Sequence, residues 1–163
     1  TVNVEGTRHV TAWAEHLGAR LVYLSTDYCY PGTTGHYAED APCAPVGAYA
    51  RSKYSGECVA LAYPNTLAIR TSFYSRLHWQ AAALDAYTSR MPIADAAPLI
   101  AALSTSTATG IVNVGGPRRS FFEIAVEFNP RVQAISRRDV HLPYALPADS
   151  SLNCSRMEAI LGI

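Results

Sequence analysis

Apolar side chains recur at two spacings along this chain, and each change of spacing marks an element. Val2, Gly6, Val10, Trp13, Ala14 and Leu17 fall close to one helical stripe that would pack on a sheet, and Gly18 follows as a C-cap. Leu21-Val-Tyr-Leu24 is a short unbroken apolar run, the pattern of a buried strand, and it stops at Ser25-Thr26-Asp27. Helix formers fill Ala48 to Ala62 before Pro64-Asn65. Thr66-Leu-Ala-Ile-Arg70 then repeats the strand pattern and again ends in hydroxyls, Thr71 and Ser72. Strand, helix and strand in that order predict a βαβ unit with parallel strands, and so an α/β fold.

Downstream the pattern predicts a helix over Trp79 to Tyr87. A second helix is expected from about Asp95, with Pro98 in its first turn and Leu99, Ile100 and Leu103 on its apolar face. Gly110-Ile-Val-Asn-Val114 reads as a strand. Ser120 and Glu123 form a capping box for a helix that Asn129-Pro130 ends, and Ser155 to Leu161 is the last helix. The connection through Pro31-Gly-Thr-Thr-Gly35 and on to Pro45 is of about the length that marks functional loops. Its adjacent acids, Glu39 and Asp40, read as solvated.

Composition narrows the function classes. A chain of 163 residues, 49% of them hydrophobic, can bury a substantial core as one domain. Its formal net charge is zero, which argues against a nucleic-acid partner. No apolar run nears the roughly 20 residues that span a bilayer, so no membrane partner is expected and the cytoplasm is the expected compartment. Cys29, Cys43, Cys58 and Cys154 show neither a C-x-x-C pair nor metal-type spacing with the histidines. They read as reduced thiols, with no metal site.

The candidate chemistry lies where the first strand ends. In open α/β sheets ligands bind at the carboxyl ends of the strands, where Ser25, Thr26 and Asp27 stand. Tyr49 and Lys53, four apart, share one helical face. A free phenol titrates near pH ~10, and an ammonium a few ångströms away favours its ionised form. A hydroxyl from Ser25 or Thr26 beside that pair could hydrogen-bond a substrate oxygen. Taken alone, Tyr-x-x-x-Lys is common on surface helices; its position after a strand ending Ser-Thr-Asp makes it specific.

These residues also resemble a family. Ser25-Thr26-Asp27-Tyr28 with Gly32, Tyr37-x-Glu39, Pro45, Tyr49-Ala-Arg-Ser-Lys53-Tyr-Ser-Gly56-Glu57 and Ile69-Arg70-Thr71-Ser72 look like the extended short-chain dehydrogenase/reductases, nearest the dTDP-4-dehydrorhamnose reductase branch. The similarity continues through Gly110 to Gly116 and Ser151 to Glu158, so it covers nearly the whole chain.

The resemblance implies part of a Rossmann-like doubly wound parallel sheet with a small C-terminal substrate-binding portion. Residues 1–72 would be the C-terminal part of the NAD(P)-binding domain, and 73–163 the remaining strands and the substrate side, not a separate folding unit. The family's Gly-x-x-Gly-x-x-Gly run follows no strand here, so the N-terminal part of the domain is expected to be missing and this chain to act weakly alone. The implied activity is reduction of the C4 keto group of a 4-keto-6-deoxy sugar nucleotide, with NADPH or NADH as cofactor and a homodimer as assembly. Thr26, Tyr49 and Lys53 would be catalytic, Lys53 also reaching the nicotinamide ribose. Leu24 and Ser25, with Tyr49 and Lys53, would meet the cofactor; Thr26, Asp27 and Phe73 would meet the substrate.

Two departures stand out. Phe73 replaces a frequent Trp, and Cys29-Tyr30-Pro31 replaces the usual Val-Phe-Asp. Asn3 reads as a helix-start residue, and Arg118-Arg119 as either a diphosphate contact or a solvated pair. Two other functions stay open: a non-catalytic nucleotide-binding regulatory subunit, as relatives serve for methionine adenosyltransferase, and an NAD-dependent sugar-nucleotide epimerase or dehydratase, with Asp27 as its acid.

Overall fold

The structure is a computed structural model that describes residues 2–142 and 146–163. A π-helical turn, Val2–Gly6, runs into helix α1 (Thr7–Leu17), which Gly18 ends in the left-handed conformation at φ 63°. Strand β1 (Leu21–Leu24) follows, then the long connection, helix α2 (Gly47–Leu61) and strand β2 (Thr66–Thr71). β1 and β2 pair in parallel, Leu21 opposite Thr66, which is the predicted βαβ unit.

Alternate residues of these strands face opposite layers. Leu21 and Tyr23 pack with Ala14 of α1 and Ala60 of α2, while Leu67 and Ile69 enter the larger core with Cys29, Tyr30 and Tyr37 of the connection. Two short strands, β3 (Phe73–Tyr74) and β6 (Met91–Pro92), pair in parallel beyond the end of β2. Helix α3 (Ile93–Thr105) and strand β7 (Gly110–Val114) come next, and β7 completes a parallel sheet of order β1-β2-β7. Leu103 of α3 and Met157 of the last helix, α5 (Ser155–Leu161), cover the face opposite α2. Helices on both faces of a parallel sheet make the doubly wound α/β architecture. Among the described residues no helix is long and apolar enough to cross a membrane.

The apolar stripe of α1 points the other way from the prediction. Val10, Trp13 and Leu17 are 55%, 74% and 68% exposed, and the buried residues of α1 are Thr11 and Ala14. Backbones approach closely where the preceding turn meets α2. A Cβ on Gly56 would lie 2.2 Å from the Asn3 carbonyl oxygen, so only a hydrogen there lets the N-terminal turn settle on α2. Asn3 itself is no simple helix-start residue: its amide donates to Ser52 Oγ at 3.0 Å.

Trp79 to Tyr87 holds a strand rather than a helix. β4 (Ala81–Ala83) pairs in parallel with β9 (Gln133–Ile135), and β5 (Tyr87–Thr88) pairs antiparallel with β8 (Arg119–Ser120). Three alanines favour helix by propensity, and partners some fifty residues away override it. Their small side chains admit Phe121 and Ala125 of α4 (Phe121–Phe128), whose N-terminal capping box is formed as predicted. The segment from Tyr87 to Arg90 is split accordingly, β5 reaching β8 and β6 reaching β3. α3 begins two residues before Asp95, so Pro98 falls past its first turn and leaves the Ala94 carbonyl without its helical donor.

Three polar readings are also corrected. The Glu39 carboxylate accepts the Asn113 amide at 2.9 Å and is not simply solvated. Arg118 pairs with Asp149 at 2.7 Å over the Tyr87 ring, and Arg119 with Glu127 at 2.7 Å. Both arginines are therefore engaged within the fold.

Candidate active site

The site forms where β1 and β2 end side by side. Ser25 N–H donates to the Ile69 carbonyl at 2.7 Å, extending the ladder one residue beyond β1. Thr26 then leaves the sheet and caps a 3-10 turn, Asp27–Cys29, its Oγ1 accepting Tyr28 N–H at 3.2 Å. The same hydroxyl donates to Asp27 Oδ1 at 3.2 Å, and Ser150 donates to Asp27 Oδ2 at 3.2 Å. Both carboxylate oxygens of Asp27 are thereby engaged. Asp27 is buried, and desolvation pushes its pKa up to about 6 against the opposing pull of Arg90, Ser150 and Thr26.

From the other side α2 brings Tyr49 and Lys53. Tyr49 is 60% exposed and open to a ligand. Lys53 Nζ donates to the Leu24 carbonyl at 2.5 Å and lies 4.3 Å from the centroid of the Tyr23 ring. Burial draws the Lys53 pKa down, with Glu57 opposing. Tyr23 in turn donates to the Lys53 carbonyl at 2.9 Å, and burial pushes that phenol up to about 12. A buried ion pair fixes the helix one turn further on: Arg70 at the end of β2 grips Glu57 through two bonds of 2.6 and 3.0 Å.

One cavity of about 310 Å³ takes in Leu24, Ser25, Thr26, Asp27, Tyr49, Lys53 and Phe73, every residue that the sequence singled out for catalysis, cofactor or substrate. Thr71, Ser72 and Tyr28 complete its lining. Ser25 Oγ and Thr71 Oγ1 are buried and have no hydrogen-bond partner among the described residues. Two such hydroxyls on adjacent strand ends are the donors and acceptors that a polar ligand would satisfy. Leu24 and Phe73 also border an apolar cavity of about 310 Å³ against Ile93, Ala96 and Ile100 of α3.

Sequence reasoning missed Ser150 and Arg90. Ser150 lies 123 residues from Asp27 and has no local signal. Arg90 reaches Ser72 Oγ at 3.4 Å and stacks 4.7 Å from the Phe121 centroid, a position set by the short pairings around β5 and β6. A lone arginine does not announce such a contact.

A parallel sheet wound on both faces, with hydroxyls, a phenol and an ammonium gathered at its carboxyl edge, defines a Rossmann-like α/β protein with a ligand cleft. Residues 1–83 match the RmlD substrate binding domain. A dTDP-4-dehydrorhamnose reductase of Sinorhizobium fredii is 32% identical over 99% of this chain and 67% of its own length. Among crystal structures, a hypothetical dTDP-4-dehydrorhamnose reductase from Sulfolobus tokodaii superposes with a TM-score of 0.87 at 28% identity, covering 98% of this chain and 65% of that one. The dTDP-4-dehydrorhamnose reductase of Bacillus anthracis, crystallised with NADP, gives 0.86 at 25% identity, over 96% of this chain and 65% of that one. The chain thus spans about two thirds of the length of these relatives. It belongs to the RmlD family, that of the dTDP-4-dehydrorhamnose reductases.

Proposed function

We propose that the protein is an NAD(P)H-dependent oxidoreductase that reduces the C4 keto group of a 4-keto-6-deoxy sugar nucleotide. The observation that carries this reading is the convergence of Thr26, Tyr49 and Lys53 on one cleft at the strand ends. A reduced nicotinamide, when bound, supplies the hydride. The cleft fits such a group: Ser25 and Thr71 hold unsatisfied buried hydroxyls, and the Leu24 carbonyl and Lys53 ammonium stand beside them. Leu24, Ser25, Tyr49 and Lys53 would hold it, with residues 1–72 forming the dinucleotide side and 73–163 the remaining strands and the substrate side of one folding unit.

As the carbonyl carbon is reduced, negative charge grows on its oxygen. Tyr49 donates a proton to that oxygen, and Thr26 Oγ1 hydrogen-bonds it, a contact strongest in the transition state. Thr26 must release Asp27 to do so, and its present bond of 3.2 Å is at the weak end for a hydroxyl donor, so the exchange costs little. Phe73, 44% exposed, offers a ring face to the sugar. Asp27 lines the same cleft beside Thr26, and the family match favours a reductase over a dehydratase.

The test is oxidation of reduced nicotinamide by the purified protein with a 4-keto-6-deoxy sugar nucleotide. Tyr49→Phe is expected to lower kcat by about 100-fold or more while nucleotide binding persists. Unchanged turnover in that variant would overturn the assignment of Tyr49. Ligand binding that Tyr49→Phe leaves unchanged, with no hydride transfer in the unsubstituted protein even at high protein concentration, would point to the regulatory-subunit reading.

A further inference from the structure

Two cysteines that the proposed chemistry leaves unused meet beside the cleft. Cys29 closes the turn that carries Asp27 and Tyr28, and it is fully buried. Cys43 lies on the loop that leads into α2, only partly buried, and packs on the core cluster that holds Cys29. A backbone bond lays loop against turn: Ala44 N–H donates to the Cys29 carbonyl at 2.9 Å. That bond joins the residue after Cys43 to Cys29 itself and so brings the two backbones side by side, as a disulfide needs. Both cysteines are free thiols of one packed cluster, and the Cys43 thiol donates to the Ala41 carbonyl at 4.0 Å.

The pair is chemically asymmetric. The neighbouring Cys29 thiol draws the Cys43 pKa down to about 7; burial opposes this, Arg70 of β2 assists, Glu57 of α2 opposes and the Tyr54 hydroxyl of α2 assists. The same proximity, together with burial, pushes the Cys29 thiol up. Cys43 is therefore the more acidic and more accessible thiol of the two, and Cys29 the buried one.

We propose that Cys29 and Cys43 are a reversible dithiol–disulfide modification site, oxidised by hydrogen peroxide. The Cys43 thiolate attacks one peroxide oxygen, the O–O bond breaks, and the other oxygen leaves as hydroxide, giving a sulfenic acid. The Cys29 sulfur then attacks the Cys43 sulfur. The S–S bond forms as the sulfenic S–O bond breaks, and the hydroxyl leaves with the Cys29 proton as water. Two electrons pass from the thiols to the peroxide, and an external dithiol returns them by exchange. The bond ties the turn bearing Asp27 to the approach of the helix bearing Tyr49, so both walls of the cleft become covalently linked. The site does not depend on the reductase reading.

The sequence makes the test direct. Arg20 and Arg51 bound one tryptic peptide that contains both Cys29 and Cys43, while Cys58 falls in the peptide Tyr54 to Arg70. The folded protein is treated with hydrogen peroxide, alkylated, digested without reductant and weighed. Expected is a peptide from Leu21 to Arg51 about 2 Da lighter than its reduced form, unalkylated, and restored by dithiothreitol. Cys43→Ser is expected to leave Cys29 unmodified by peroxide. A cross-link to the peptide carrying Cys58, a sulfinic acid on Cys43, or two alkylated cysteines after peroxide has oxidised the exposed Cys58 would each overturn the proposal.

Discussion

Replacing Glu57 with leucine removes the carboxylate that neutralises a buried guanidinium and bolts the Tyr49 helix to the end of β2. Arg70 is 2% exposed and Glu57 1%, and the two share bonds of 2.6 and 3.0 Å. Burial works to draw the Arg70 pKa down, and the bonds to Glu57 together with the charges of Cys29, Glu57 and Tyr30 more than offset it, so the arginine stays charged. Breaking one side of such a pair costs roughly 3 to 5 kcal/mol, because the remaining charge is buried and unpaired. Against a total stability of about 5 to 15 kcal/mol, that is a large fraction. Arg70 also donates to Tyr30 Oη at 2.7 Å and to the Glu39 carbonyl at 3.1 Å. Removing both charges, in Glu57→Leu with Arg70→Met, should therefore still cost those two bonds, about 1 kcal/mol each, but spare the bare charge. The double variant should lose roughly 2 kcal/mol and be more stable than Glu57→Leu alone. Urea unfolding followed by far-ultraviolet circular dichroism measures this, with the slope unchanged as the check that only stability moved. A loss below about 1 kcal/mol in Glu57→Leu would refute the claim that this pair secures the catalytic helix.

Further tests address the approach of the N-terminal turn, the unsatisfied hydroxyls and the buried acid. Gly56→Ala sets a Cβ 2.2 Å from the Asn3 carbonyl oxygen and 2.5 Å from Tyr23 Oη, so it should cost about 1 to 3 kcal/mol in chemical denaturation; a neutral result would mean the turn is not seated there. Ser25→Ala removes a buried hydroxyl without a partner, and the ligand-free chain should be as stable or gain about 1 kcal/mol while affinity for reduced nicotinamide falls; a marked drop in melting temperature would argue against it. Asp27 has a folded-state pKa raised to about 6 from 3.8, so the native state binds the extra proton and stability should fall as pH rises from about 4 to 6. Asp27→Asn should flatten that part of the stability profile, and an unchanged slope between those pH values would exclude Asp27 as its source.

Local pattern and chemistry were enough to define the centre of this protein. β1, β2 and β7 are apolar runs bounded by turn residues, and their parallel pairing follows from the strand–helix–strand order. The capping box at Ser120 and Glu123 and the left-handed Gly18 are signals only a few residues long, and the structure follows both. The residues chosen for the site gather in one cleft because strand ends and a four-residue helical repeat are local geometry. What the sequence could not decide depended on distant partners. The alanine strand β4 exists because Gln133–Ile135 pairs with it, and of the α1 stripe only the small Ala14 packs inward while Val10, Trp13 and Leu17 stand exposed. Ser150 on Asp27 and Arg90 against Ser72 and Phe121 are likewise contacts that no local pattern announces. Periodicity carries which face of an element is apolar; only the packed fold selects which neighbour that face, or a polar group beside it, will meet.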